Sequence, residues 1–222
     1  MGRSAKELEI RDGKVAGSLR AEFPRLALRY CVVEASDRRS PAGIKERLRY
    51  LSNRFHGRRA LNLRQEPIAS AYRVFFRQIG LDPDEARTPI EAAVIERLRV
   101  GGVRSRGLVE DALTIAIVET GVAMRAIDAE RTEGGLALRL SVPGERLGIG
   151  GDAFELPEDA LVLADGRRPL GLIFGDTAPD CEVDGRTTSI AVCAVQVEGV
   201  PDISVEEAIW SCTDALLAGD GG

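Results

Sequence analysis

The chain has 222 residues, of which 44% are hydrophobic and 29% charged, so it can bury a full core and a disordered or low-complexity polymer is excluded. Its net charge of −5 by itself counts against a nucleic-acid partner, and DNA is not expected as one; no run approaches the roughly 18 apolar residues of a membrane span. The first residues, Met1 to Glu7, lead into no apolar signal segment, so the expected compartment is the cytoplasm, with no membrane partner.

In chain order, the stretch to about residue 40 reads as a short strand or helix followed by a strand ending in Tyr30-Cys-Val-Val33, where β-branched residues gather. Residues 43–55 place Ile44, Leu48 and Leu51 on one helical stripe with arginines opposite. Residues 67–80 open on Pro67, a favoured first helical residue, and set Ile68, Tyr72, Phe75, Phe76 and Ile79 on one core-facing side. Thr88-Pro89-Ile90-Glu91 is a capping box, predicting a helix over 89–100 that stops at Gly101-Gly102. Another helix is expected over about 107–120, ended by Gly121.

Beyond Gly121 the period changes to two. Leu136, Leu138, Leu140 and Val142 alternate with smaller or polar residues, and further strands are expected at Ala160–Ala164, Leu170–Phe174 and Ser189–Val197. Ser204-Val-Glu-Glu207 is a second capping box, predicting a C-terminal helix over about 204–217. The order gives an α+β fold: N-terminal helices (about 40–120) packed on a mostly antiparallel sheet formed by the second half (about 121–200), closed by the C-terminal helix, in one domain spanning 1–222.

Charge is unevenly divided. Residues 1–108 carry a balance of +10 and residues 109–222 one of −15. The arginines Arg47, Arg54, Arg58, Arg59 and Arg64, and again Arg104 and Arg106 beside Arg97 and Arg99, are candidates for RNA phosphate contacts, since the planar guanidinium fork suits phosphate oxygens. A solvated helical face explains the same clustering.

Several chemistries drop out. The four cysteines lie far apart with no Cys-x-x-Cys pair, and His56 is the only histidine, so neither a zinc site nor a Ser-His-Asp triad is expected and no metal or cofactor is implied. Gly148-Ile-Gly150-Gly151-Asp152 looks like a phosphate loop, but Ala153 stands at the third glycine position and no helix is expected to follow, so a turn is the better reading. No Walker, His-Glu-x-x-His or Gly-x-Ser-x-Gly sequence occurs.

The ordered segments Leu108 to Asp128, Gly134 to Leu140, Pro143 to Gly151, Ala160 to Asp165 and Pro169 to Thr188, preceded by Ile68 to Pro83 and the Thr88 helix, resemble the editing region, called B3/B4, of the β subunit of phenylalanyl-tRNA synthetase. The resemblance implies a cytoplasmic tRNA-binding domain with a pocket between subdomains, in which wrongly attached tyrosine is removed by ester hydrolysis without a metal or covalent intermediate. Met124-Arg125-Ala126-Ile127-Asp128 matches the family's Leu-His-Ala-Phe-Asp type segment, with Arg125 at the histidine's place. Phe174-Gly175-Asp176 matches its Gly-Gly-Glu type turn, and Thr187 and Thr188 match the threonines after it. The substrate-binding residues so implied are Arg125, Asp128, Gly175, Asp176, Thr187 and Thr188, with Asp176 the catalytic candidate.

Three functions follow as expectations. The first is a module that binds tRNA or aminoacyl-tRNA and hydrolyses misacylated ester in trans. The second is a non-catalytic pocket for a free amino acid or small carboxylate with Arg125 as anion clamp, and the third an interaction scaffold.

Overall fold

The computed structural model describes residues 8–54, 62–100 and 104–218, the side chains of Arg54 and residues 97–100 excepted. His56, Arg58 and Arg59 lie outside the described residues, as do the side chains of Arg54, Arg97 and Arg99. Two short strands open the chain, β1 (Arg11–Asp12) and β2 (Lys14–Val15), followed by α1 (Gly17–Glu22) and the long strand β3 (Ala27–Glu34). Four helices come next: α2 (Ala42–Arg54), α3 (Pro67–Gln78), α4 (Pro89–Val100) and α5 (Leu108–Thr120). The strands β4 (Ala123–Asp128), β5 (Ala137–Leu140), β6 (Arg146–Leu147), β7 (Phe154–Glu155), β8 (Leu161–Ala164), β9 (Pro169–Leu172) and β10 (Ser189–Gln196) precede α6 (Asp202–Leu217).

These strands form two four-stranded sheets and a small β6–β7 pair. The first sheet runs β1-β3-β10-β4 and is antiparallel throughout. The second runs β2-β5-β8-β9, antiparallel except for the β2–β5 pair. The chain passes from one sheet to the other at Gly13, whose N–H donates to Leu28 O at 2.7 Å. A Cβ there would lie 2.4 Å from the Leu28 side chain, so this crossing requires glycine.

Burial explains the layering. Every residue of β10 from Ile190 to Gln196 is buried, the signature of a strand covered on both faces. On one side α5 and α6 pack over the first sheet, and α2 packs on α5 through Ile44, Leu48 and Leu51. Ala112 and Ala116 on α5, with Ala208 and Cys212 on α6, are all fully buried; such small side chains let two helices approach closely. The second sheet approaches the other face through β2 and β5 against β3.

The α+β architecture expected from the sequence is present, with one refinement: β3, from the basic first half, sits inside the first sheet, paired with β10 over eight positions. Two helix starts show how local signals compare with what forms. At α4, Thr88 and Glu91 make the expected cap, the hydroxyl donating to Glu91 Oε2 at 2.8 Å and the Thr88 N–H to the same oxygen at 3.3 Å. At α6 the helix begins two residues before the expected Ser204, because Pro201 takes the N-cap position with its carbonyl accepting from Ser204 N–H. Gly148 to Asp152 forms a turn with a short 3-10 segment, as expected.

Candidate functional site

Arg125 rises from β4 toward the second sheet. Its guanidinium donates through Nη1 to Thr177 Oγ1 at 2.6 Å and through Nη2 to the carbonyl of Gly175. Space for it comes from Gly171 in β9, where a Cβ would stand 2.7 Å from Nη1. An isolated glycine inside a strand pattern was the available sequence signal for this close approach. Burial lowers the Arg125 pKa, opposed by the nearby Cys193 thiol and Asp176, yet a guanidinium stays cationic throughout the protein range. Beside it the two sheets enclose a cavity of about 20 Å³ lined by Leu28, Ala123, Leu163 and Cys193 among others, room for one water molecule. Arg125 therefore acts as a clamp between the sheets, with its fork already engaged.

The turn it holds is fixed from the opposite side as well. Phe174 packs against Phe76 of α3 at a ring separation of 4.5 Å and against Phe75 and Tyr72. The clamp on the Gly175 carbonyl and the Phe174 anchor leave Asp176 exposed at the turn. Thus Arg125 and Gly175 meet directly, while Asp176 lines neither the small cavity nor the larger depression described next.

The remaining residues implied by the resemblance gather elsewhere. Asp128 is buried at the end of β4, where its Oδ2 accepts from Thr187 Oγ1 at 3.0 Å and its Oδ1 from Glu130 N–H at 2.9 Å. Thr188 Oγ1 donates to Glu130 Oε1 at 3.0 Å. Asp128 is three positions from Arg125 along one strand, so the two start from opposite faces. This second group borders a depression of about 300 Å³ whose walls carry the carboxylates of Asp128, Glu130, Asp180, Glu182 and Asp184. Arg131 and Arg186 oppose them, and Asp180 is further paired with Arg168, whose Nη1 donates at 3.2 Å. Negative charge is in excess, which suits an ammonium group over an anion.

A group of arginines gathers at the start of α5. The buried Asp111 carboxylate at the start of α5 accepts from Ser40 Oγ at 2.5 Å, Ser105 Oγ at 2.6 Å and the Arg106 N–H at 3.0 Å. It thereby clips residues 38–40 to 104–106, and Leu108 N–H adds a bond to Arg38 O at 2.8 Å. Arg39, Arg104 and Arg106 are all exposed around this clip. Arg106 pairs with Glu96 at 2.9 Å and Glu110 at 3.9 Å, exposed pairs of the kind that contribute little and exchange readily. Arg39 was not among the sequence candidates; only the serines and Asp111, distant in sequence, bring it beside Arg104. The basic segment also touches the depression's rim: Ala35 N–H donates to Thr188 O at 3.1 Å, and a Cβ on Gly185 would lie 3.8 Å from Asp37 O.

Among the described side chains, the other two arginine candidates, Arg47 and Arg64, are partly exposed and already paired with carboxylates. Arg47 binds Glu119 through two bonds of 3.0 and 2.7 Å and reaches Ser211 and Asp214. Arg64 contacts Asp84 at 3.0 Å and Glu91 at 3.2 Å. Thiol nucleophiles are unavailable at neutral pH, since burial pushes Cys193 and Cys31 up to about 12 and Cys181 up to about 11. Among the described residues, no group of three or more His, Cys, Asp or Glu could hold a metal ion, and no helix is long and apolar enough to cross a membrane.

The chain is similar to phenylalanine–tRNA ligase β subunits: 41% identical over 78 residues to that of Nitrosococcus oceani, covering 35% of this chain and 10% of the relative. It is 33% identical over 125 residues to that of Streptomyces avermitilis, covering 54% and 15%, and 40% identical over 83 residues to that of Yersinia pestis, covering 36% and 10%. The matched stretch thus spans only a small part of those longer subunits. A crystal structure of an N-terminal fragment of the phenylalanyl-tRNA synthetase β subunit from Pyrococcus horikoshii aligns over 95% of this chain and 50% of that one, at 13% identity and a TM-score of 0.43. The B3/4 domain pattern matches residues 71–204, which runs from α3 into α6 and takes in Arg125, the Phe174 turn and the acidic depression. Since that match covers more than half of the sequence, the chain belongs to the B3/4 domain family.

Proposed function

We propose that this protein binds the aminoacylated end of a tRNA, with phosphates on the surface of Arg39, Arg104 and Arg106 and the amino acid's ammonium group in the acidic depression. The observation that carries this reading is the contact between the two regions: segment 35–40 abuts the 185–188 loop through the Ala35–Thr188 hydrogen bond. An aminoacyl-tRNA end has that polarity, a polyanion terminating in a cation. Family membership and the similarity to phenylalanine–tRNA ligase β subunits support the choice of tRNA over other polyanions.

Ester hydrolysis at such a site would work by placement. Exposed Thr188 supplies a hydroxyl that Glu130 accepts, and buried Thr187 behind it holds Asp128 in place, so a water held by Thr188 and Glu130 would be oriented toward an ester carbonyl at the rim. Arg125 takes no part as a base; its role is to keep the two sheets and the Phe174 turn in register.

Binding of tRNA measured over a salt series tests the phosphate surface. Replacing Arg39, Arg104 and Arg106 together by Ala is expected to weaken binding uniformly across tRNA sequences. The slope of log affinity against log salt should drop by about 2–3, because each phosphate contact contributes roughly 0.7–0.9 to it. An unchanged slope in the triple variant would remove this surface from the interface. In parallel, deacylation of tyrosine-charged and other misacylated tRNAs is expected to exceed the uncatalysed rate and to fall in Thr188→Val; identical rates with and without protein would leave binding as the whole function.

A further inference from the structure

Arg131 and Arg186 have no part in the core or in the Asp111 clip. Both are exposed and line the depression, Arg131 from the 3-10 turn Ala129–Arg131 that follows β4 and Arg186 from the turn that precedes β10. Neither guanidinium forms a hydrogen bond or an ion pair with any described residue, although carboxylates stand in the same walls. Four of those five carboxylates already serve other donors. Asp128 accepts from Thr187 Oγ1 and the Glu130 N–H, Glu130 from Thr188 Oγ1, and Asp180 from Arg168. Asp184 accepts from the N–H groups of Arg186 and Thr187 at 2.7 and 3.2 Å.

The Asp184 bonds also fold residues 184–187 into a fixed turn, closed further by the Asp184 N–H donating to Thr187 Oγ1 at 3.2 Å. The backbone of Arg186 is thereby held while its fork stays unengaged. This turn leads into the loop that abuts segment 35–40, through the Ala35 N–H on Thr188 O and the approach of Gly185 to Asp37 O. Arg186 therefore stands where that segment meets the depression, and Arg131 lines the same space.

An aminoacyl end brings both signs of charge to such a place. The ester and the phosphodiester of the last nucleotide are joined to one ribose, so a depression that holds the ammonium group must also tolerate a phosphate nearby. At about 300 Å³ the depression reaches the lower end of the range of small-ligand sites. Carboxylates alone would repel that phosphate. A guanidinium fork matches two phosphate oxygens, and here two forks are available. We infer that Arg186 and Arg131 bind the phosphodiester of the terminal nucleotide and so fix which way round the aminoacyl nucleotide enters the depression. This inference rests on the function proposed above and adds to it a contact separate from the surface of Arg39, Arg104 and Arg106.

Two probes separate the phosphate from the ammonium group. Each carries tyrosine through a stable amide at the 3′ position of adenosine; one has a free 5′-hydroxyl, the other a 5′-phosphate methyl ester with the single negative charge of a phosphodiester. Affinities are measured by titration calorimetry for the full natural chain, Arg186→Ala, Arg131→Ala and Arg186→Lys. The natural protein is expected to bind the phosphorylated probe about tenfold more tightly, the gain from one or two charge-assisted hydrogen bonds. In each alanine variant that ratio should fall to about threefold or less, and Arg186→Lys should keep part of it. Equal affinity of the natural protein for the two probes overturns the inference. So does an undiminished ratio in both alanine variants, whether or not they bind both probes more weakly, since a merely structural role lowers the two affinities together. If the natural protein binds neither probe, the ammonium site proposed above fails and this inference with it, and the probe without phosphate tells that failure from the others.

Discussion

Tyr72 illustrates how much a single side chain can fix. Its hydroxyl donates to Val195 O at 2.5 Å and accepts from Ala123 N–H at 3.0 Å, tying the helix α3 to both strands that border Arg125. Burial pushes its pKa well above the tyrosine range, so it keeps its proton. Tyr72→Phe leaves the Ala123 N–H without an acceptor, and equilibrium denaturation should show a loss of about 1–3 kcal/mol. Glu145 gives a pH-dependent counterpart. The Arg139 guanidinium, bonded to it at 2.5 and 2.8 Å, holds its carboxyl below the usual range, with help from the Val142 N–H. A carboxylate depressed in the fold contributes stability that is full above its unfolded value near 4.3 and declines as pH falls through the folded value. Urea unfolding should therefore show stability falling below about pH 5, and Glu145→Gln should lower it by about 1–2 kcal/mol at neutral pH while flattening that decline. At this scale the sequence was partly legible. Arg125, Asp128 and Thr187 could be named from the family resemblance, yet the sequence did not disclose that Arg125 is engaged with Gly175 and Thr177 while Asp128 faces Thr187, because that division depends on strand facing and on Gly171 opening space.

At the scale of elements, helix ends and strand periods were the most readable features. The start of α4 at Pro89 and the stop of α5 at Gly121 follow from caps that act through neighbouring backbone groups, while the expected stop of α4 at Gly101-Gly102 lies outside the described residues. Gly121 has φ of +80°, and a Cβ there would lie 3.1 Å from Ile68 Cγ2. Gly121→Ala should accordingly cost about 1–2 kcal/mol by denaturation, combining left-handed strain with that contact. Pairing was less readable, for a physical reason. Strands as short as Arg11–Asp12 and Lys14–Val15 carry too few residues for a period, and the parallel β2–β5 contact joins residues more than a hundred positions apart. The same limit hid Asp111, which looks in sequence like an ordinary acidic residue of a helix's first turn, where a carboxylate is favoured by the dipole alone. Its three donors come from two other segments, and those segments assemble the arginine surface.

For the molecule as a whole, the division of charge along the sequence is redistributed by folding. The basic first half and acidic second half do not remain two faces, because β3 pairs with β10 and α2 packs on α5. Arg47 with Glu119 and Arg29 with Glu206 form partly exposed ion pairs across that junction. Among the described residues, Arg39, Arg104 and Arg106 are exposed around the Asp111 clip, and the depression carries excess carboxylate. In the proposed function a tRNA end is received through its amino acid's ammonium group. The most direct measurement compares affinities for the same tRNA uncharged, aminoacylated, and aminoacylated with the α-amino group acetylated, at fixed salt. Tightest binding is expected for the free-ammonium form, with acetylation returning affinity to the uncharged level or below. Equal affinity for all three, or a preference for the acetylated form, would contradict it.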